Sequence, residues 1–406
     1  MMKIKLAVTI TFILSLSSLL LAADWPYFRG PNHDNISTET GLLKSWPKEG
    51  LKLVWKYENT GKGYASVSVV NGTVYTAGDF GEDCKIVALD LSGKLKWEGP
   101  AGKAWNAKWN GSRGTPSVTN GIVYYMNNHG VVYALKADSG EFVWSVDVKE
   151  TFKGRPGNWG YSETPLLYDN MVICQPGGEK SLLVALDAKS GALIWACTDM
   201  DEKAGYCSAT VAEIEGIKQV VTFTKENVIG VDIKSGKLLW SFPHKTKPDV
   251  NVSTPVVFEN YVVSSSGYGI GSKCYRIENG KPVNVWKTIS MDNHHGGIIA
   301  FDGKVYGSGD KNNGWFCVDI KTGKDLYQER GVGKGSCLLA DGMLYTQSER
   351  GKLALVPLST SEHKAAASMD LPKEGEGNFW AYPVIANGRL YLRHDNFLYS
   401  YNVVSK

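Results

Sequence analysis

The chain predicts an all-β fold, an eight-bladed β-propeller of four-stranded antiparallel blades closed by its N-terminal strand. Three observations predict it. One phrase recurs along the 406 residues: ALDLSGKLKW (Ala88–Trp97), ALKADSGEFVW (Ala134–Trp144), ALDAKSGALIW (Ala185–Trp195), GVDIKSGKLLW (Gly230–Trp240) and CVDIKTGKDLY (Cys317–Tyr327). A second element precedes it, as TPSVTNGIVYY (Thr115–Tyr125), TPLLYDNMVIC (Thr164–Cys174) and TPVVFENYVVS (Thr254–Ser264), with a degenerate form at Ala381–Leu392. Finally, the strand KLVWKY (Lys52–Tyr57) has no inner strands ahead of it, and the last inner strands, around Leu390–Val404, have no outer strand behind them. A phrase repeated at near-constant spacing marks stacked units, none of which can bury both faces alone.

Each element follows from its residues. The upstream element is two β-branched-rich strands joined by an Asn-Gly or Asp-Asn turn. The phrase is strand, tight turn, strand. Its Gly (Gly93, Gly140, Gly191, Gly236, Gly323) supplies the positive φ of a short loop, and its Asp accepts hydrogen bonds from turn amides. The outer-strand position then carries Trp55, Trp97, Trp144, Trp195, Trp240, Trp286, Tyr327 and a degenerate eighth near Met369. Pairing the first strand with the last sheet closes the ring and removes its free edges.

The phrase resembles the tryptophan-docking motif A-x-D-x-x-T-G-x-x-x-W of pyrroloquinoline-quinone-like (PQQ-repeat) β-propellers, over roughly residues 50–406. It is specific in blades one to four and six. Blade one is a residue short between Asp90 and Gly93, blade two has Lys136 in place of Asp, and blades five and seven barely keep the phrase. The resemblance is to exported bacterial members of the family.

Three segments are expected: a signal peptide at 1–22, an arm at 23–50 and the propeller at 51–406. Lys3 and Lys5 precede an apolar core, Leu6–Leu21, and Ala22 is a small-residue cleavage point. No Cys follows that run, which speaks against a lipoprotein anchor. The arm, DWPYFRGPNHDNIS (Asp24–Ser37), is broken by Pro26, Gly30 and Pro31 yet too aromatic for a free tail, so it is expected to pack across the propeller. An exported protein, periplasmic or secreted, with no membrane span after cleavage and acting as a monomer, is the expectation. The formal charge of +3 falls further once Lys3 and Lys5 are removed, which argues against a nucleic-acid surface. Seven cysteines are scattered singly, without CxxC, CxxCH or a vicinal pair, and read as small buried hydrophobes.

A site is expected where the connectors from one blade to the next converge, near residues 58–64, 99–114, 149–163, 199–207, 243–252, 288–296, 329–335 and 370–380. The candidates on that rim are Arg113, Trp159, Tyr161, Glu163, Tyr206, Asn251, His294, Lys334 and Trp380. Trp105, Trp109, Tyr64 and His295 fall beside them. Arg113 either grips a carboxylate by its planar fork or pins its connector, and Glu163 is the best-placed acid. No metal site is expected. His294 and His295 are adjacent, so on an extended strand they point opposite ways, and no third ligand follows at a readable spacing.

Two functions follow. One is a binding platform without catalysis, offering the aromatic rim to an envelope protein, peptide or glycan. The other, implied by the resemblance, is a PQQ-dependent dehydrogenase oxidising an alcohol or sugar. Enzymes of that kind carry a vicinal disulfide over the quinone, with acid and amide ligands for calcium. This sequence has no vicinal Cys pair and no legible ligand set, so no cofactor is expected with assurance, and binding is preferred to catalysis.

Overall fold

A computed structural model describes residues 23–247 and 250–405; the expected signal peptide lies outside the described residues. Eight sheets are present. Seven have four strands, and the eighth gains a fifth from the arm. Blade one runs from Ser68–Val70 to Leu95–Lys103, blade two from Ser117–Thr119 to Phe142–Asp147, and blade three from Leu166–Tyr168 to Leu193–Cys197. Blade four runs from Thr210–Ile214 to Leu238–Pro243, blade five from Val256–Phe258 to Lys281–Thr288, and blade six from Ile298–Phe301 to Asp325–Glu329. Blade seven runs from Gly335–Ala340 to Ala367–Asp370. Blade eight takes Val384–Ala386, Arg389–His394 and Phe397–Asn402 from the C-terminal end and its outer strand, Leu53–Tyr57, from the other, with Tyr57 opposite Leu398.

The turn chemistry explains the strands. In all eight hairpins joining first and second strands, an Asn, Asp or Glu at left-handed φ precedes a Gly or Asn: Asn71-Gly72, Asn120-Gly121, Asp169-Asn170, Glu215-Gly216, Glu259-Asn260, Asp302-Gly303, Asp341-Gly342 and Asn387-Gly388. Such turns match the right-handed twist of the strands they join. In the phrase, Asp187 Oδ1 accepts from the amides of Lys189 (3.1 Å) and Ser190 (2.9 Å), Asp232 Oδ1 likewise from those of Lys234 and Ser235, and Asp319 Oδ1 from that of Thr322.

The Trp of one blade docks on the phrase of the next. Trp55 donates from Nε1 to Leu91 O (2.8 Å), Trp97 to Ala137 O (3.1 Å), Trp144 to Ala188 O (3.0 Å), Trp195 to Ile233 O (3.1 Å) and Trp286 to Ile320 O (2.7 Å). Each indole also lies over the turn Gly: a Cβ on Gly140 would sit 2.6 Å from Trp97, and one on Gly191 3.0 Å from Trp144. Gly is thus required twice, for φ near +73° and for the indole. Lys136 in place of Asp leaves the docking of Trp97 intact. Blade five does not: its last hairpin is the two-residue turn Asn279-Gly280, which offers no platform. Trp240 instead donates to Gln219 Oε1 at 2.7 Å and stacks on Phe242.

The core lies between successive sheets. Tyr124, Val132 and Trp144 of blade two meet Leu167, Val172 and Leu186 of blade three. All seven cysteines are unpaired and buried in such layers.

The arm enters the ring axis. Trp25 bridges Val69 of blade one, and Val118 of blade two donates to Pro26 O at 2.9 Å. Arg29 reaches across to Ile298 O of blade six (2.6 Å) and to Thr254 O at the start of blade five (3.4 Å). Ile36 and Ser37 then pair in parallel with Leu339 and Ala340 of blade seven.

Candidate functional site

Hydroxyls link neighbouring blades at the throat of the ring. Ser66 N donates to Thr115 Oγ1 (3.0 Å), Thr115 N to Thr164 Oγ1 (2.9 Å) and Thr164 N to Ser208 Oγ (2.8 Å). This is the structural use of the recurrent Thr-Pro. The Pro has no N–H to satisfy, and the Thr before it serves the preceding blade's backbone.

Above the throat the connectors and the hairpins between second and third strands enclose a cavity of about 300 Å³. One wall is a run of rings. Tyr268 meets His294 edge-on (centroids 4.6 Å apart), His294 meets His295 (3.6 Å), and His295 stacks on Trp380 (4.2 Å, 26° between planes). Trp380 in turn touches Tyr64 (5.1 Å) and Trp109 (5.4 Å). Trp159 and Tyr206, 5.7 Å apart, form a second aromatic patch. Phe28 and Tyr382 also line the cavity, where their rings meet edge-on at 4.9 Å.

Polar groups are set into these walls. Lys334 Nζ bonds Asp310 Oδ1 (2.7 Å), donates to His294 Nδ1 (3.0 Å) and lies 3.4 Å from Glu349 Oε2. The same Glu349 oxygen accepts from Trp380 Nε1 at 3.0 Å, which fixes the plane of that indole. Arg113 donates to Trp159 O, to Trp109 O (2.7 Å) and to Ser162 Oγ (3.4 Å), and stands 5.6 Å from the Trp105 ring. It makes no ion pair with any described residue. Trp109 holds φ of 58° and is 47% exposed. A bulky residue in that region costs on the order of 1–3 kcal/mol, and such strain clusters at functional sites.

The electrostatics keep the rim charged in a fixed pattern. Burial pulls the His294 imidazole down to about 4, with Lys334 adding to the effect. Burial also holds His295 well below its ordinary value, with His294 as a further cause. Both rings are therefore neutral at pH 7. Burial acts to raise the Asp310 carboxyl, but its bond to Lys334 outweighs that and holds it below the ordinary range. Burial lowers Arg113 to about 10, which still leaves it a cation.

Of the nine candidates, Arg113, Trp159, Tyr206, His294, Lys334 and Trp380 line this one cavity. Three do not. Tyr161 is buried between blades two and three and donates to Pro176 O at 2.9 Å. Glu163 accepts from Gln175 N at 2.6 Å, and burial pushes its carboxyl up to about 8. Asn251 donates to Lys225 O (2.9 Å) and accepts from Ser266 Oγ (2.9 Å). These three side chains hold connectors in place. Sequence reasoning missed Tyr268 and Glu349, which come from second-to-third-strand hairpins, and Phe28, which comes from the arm. The hairpins were findable, because in an antiparallel blade they emerge on the same face as the connectors.

The cavity fits part of what a quinone cofactor with calcium would ask. Its aromatic walls suit a planar ring, and Arg113 suits a carboxylate. The cation is not accommodated. Calcium takes 6–8 oxygen ligands, while Glu349 is the one carboxylate among the described lining residues, already engaged by Lys334 and Trp380. No cluster of three or more metal-binding side chains occurs among the described residues. The lone cysteines supply no vicinal disulfide.

Comparison with known proteins completes the picture. The dehydrogenase subunit of the quinone alcohol dehydrogenase of Gluconobacter oxydans is 31% identical over 159 residues, 36% of this chain and 20% of that protein. The quinoprotein alcohol dehydrogenase PedH of Pseudomonas putida is 25% identical over 228 residues, 54% of this chain and 36% of that protein. The chain thus spans well under half the length of these relatives. Among solved structures, BamB from Moraxella catarrhalis superposes with a TM-score of 0.64 at 14% identity, covering 88% of this chain and 99% of that one. The quinohemoprotein alcohol dehydrogenase of Comamonas testosteroni gives 0.64 at 14% identity, covering 94% and 81%. These two likenesses speak for the fold. A family model described as outer membrane protein assembly factor BamB matches residues 101–329, more than half of the 406, and the chain belongs to that family of PQQ-like propellers.

Proposed function

We propose that this chain is an exported binding module, periplasmic or secreted, whose aromatic rim takes a protein, peptide or glycan ligand without transforming it. One observation carries the reading: eight Phe, Tyr and Trp side chains and Arg113, which has no ion-pair partner among the described residues, converge on one cavity, while its remaining charged groups are bound to one another. Rings with fixed planes, held by bonds such as Trp380 to Glu349, offer stacking area at little entropic cost. The Lys334–Asp310 pair is locked, so it is poorly placed to shuttle protons. The family description, which concerns outer-membrane protein assembly, favours a partner-binding role. The test is retention of envelope components, and of glycans on an array, by immobilised wild-type protein and by Trp380→Ala and Trp159→Ala. Retention by the wild type that both variants lose is expected. Equal retention by all three contradicts the reading.

The likeness to quinone-dependent alcohol dehydrogenases favours a second reading, a quinoprotein dehydrogenase. The missing calcium ligands count against it. Dye-linked alcohol oxidation after incubation with the quinone and calcium would reverse the preference.

A further inference from the structure

The arm makes an unusual set of contacts for a segment outside the repeats. Its two ends lie on the face opposite the cavity. Trp25 pairs with Val69, beside the turn Asn71-Gly72, and Ile36–Ser37 pairs with Leu339–Ala340, beside the turn Asp341-Gly342. Between them the chain rises along the ring axis toward the connector face. There Arg29, 2% exposed, donates to the first inner-strand carbonyl of blade six and to the carbonyl of Thr254 ahead of blade five.

The loop is built into one shape. Gly30 turns at φ +86° with the Trp25 indole against it, where a Cβ would lie 2.9 Å from the ring. Asn35 donates from its side-chain amide to Cys337 O of blade seven. The arm therefore grips blades one, two, five, six and seven from inside. At its apex stands Phe28, its one residue among those lining the cavity, edge-on to Tyr382.

We propose that Phe28 is a specificity-determining residue of the binding site: the arm closes the axial channel beneath the rim, so ligands enter end-on from the connector face and are selected by length. This rests on the reading of the rim cavity as a ligand site. The walls, Trp380 and Trp159 among them, select for flat or apolar shape. The floor limits reach. A side chain at the bottom of an apolar pocket discriminates sharply, because a longer ligand must displace it while a shorter one never meets it.

Rigid aryl carboxylates test this, since they differ in length alone and offer Arg113 an anion. Biphenyl-4-carboxylate and p-terphenyl-4-carboxylate are titrated into the full chain, followed by tryptophan fluorescence. The wild type is expected to bind the biphenyl acid at least about tenfold more tightly than the terphenyl acid. Phe28→Ala should bring the two within about threefold of each other by strengthening terphenyl binding, leaving the biphenyl acid nearly unchanged. Phe28→Leu, which keeps most of the packing against Tyr382, guards against a misfolded Ala variant and should give an intermediate ratio. If biphenyl binding persists and the length ratio is the same in all three proteins, the floor assignment is wrong and the site stands. If the wild type binds neither acid, the site itself is wrong and the floor falls with it.

Discussion

The molecule uses tryptophan in two regions, and their surroundings differ. On the outer strands, Trp97, Trp144, Trp195 and Trp286 are 7–8% exposed, each covering a glycine turn and donating to a carbonyl of the next blade. Around the mouth, Trp109, Trp159 and Trp380 are more open and touch other rings. Trp380 donates to a carboxylate instead of the backbone. The first set is satisfied by its own ring of blades. The second packs on other rings of the mouth and keeps part of its surface open. The same residue type is structural where its partner is the next repeat, and available where its partners are cavity walls.

The sharpest way to break this comparison is truncation in each region. Trp195→Ala should cost about 3–5 kcal/mol in denaturant unfolding, and Trp380→Ala about 1 kcal/mol or less. Equal losses would erase the distinction. Next in size is the glycine beneath an indole. Gly191→Ala places a Cβ 3.0 Å from Trp144 at φ +72°, and about 1–3 kcal/mol of stability should go. A pH series sharpens the contrast between connector-holding and rim groups. Burial raises Glu163 to about 8, above its unfolded value near 4.5. The folded state therefore binds the extra proton between those values, and the contribution is full below about 4.5 and lost as pH rises through about 8. Glu163→Gln should be more stable than the wild type at pH 8, on the order of 1–3 kcal/mol, with the advantage vanishing near pH 4.5. An advantage that grew on acidification would refute the assignment. A similarly small effect is expected of Trp195→Phe, which keeps an aromatic ring and drops the bond to Ile233 O, for about 1 kcal/mol by thermal or chemical melting.

The repeat was readable because its chemistry is local. Asp, Gly and Trp within eleven residues set a turn and its lid, and the unmatched strand Lys52–Tyr57 marked the closure. Lost phrases were informative too: the Asn279-Gly280 turn of blade five explains why Trp240 turns to Gln219. The rim was legible as a place and only partly as a set of residues. Connector positions follow from the register, but whether a side chain faces the axis or the neighbouring blade depends on bonds across 12 to 48 residues, as for Glu163 with Gln175 or Gln175 with Phe223 O. The course of the arm was beyond sequence reading, because nothing periodic ties Arg29 to carbonyls, or Phe28 to a ring, more than two hundred residues away.

The division between the two regions is tested most directly by aryl-carboxylate binding to Trp380→Ala and Trp195→Ala, held at a temperature where circular dichroism shows both folded. Trp380→Ala should weaken the biphenyl acid at least about tenfold while Trp195→Ala keeps wild-type affinity. Unchanged binding in Trp380→Ala, or loss confined to Trp195→Ala, would contradict the account.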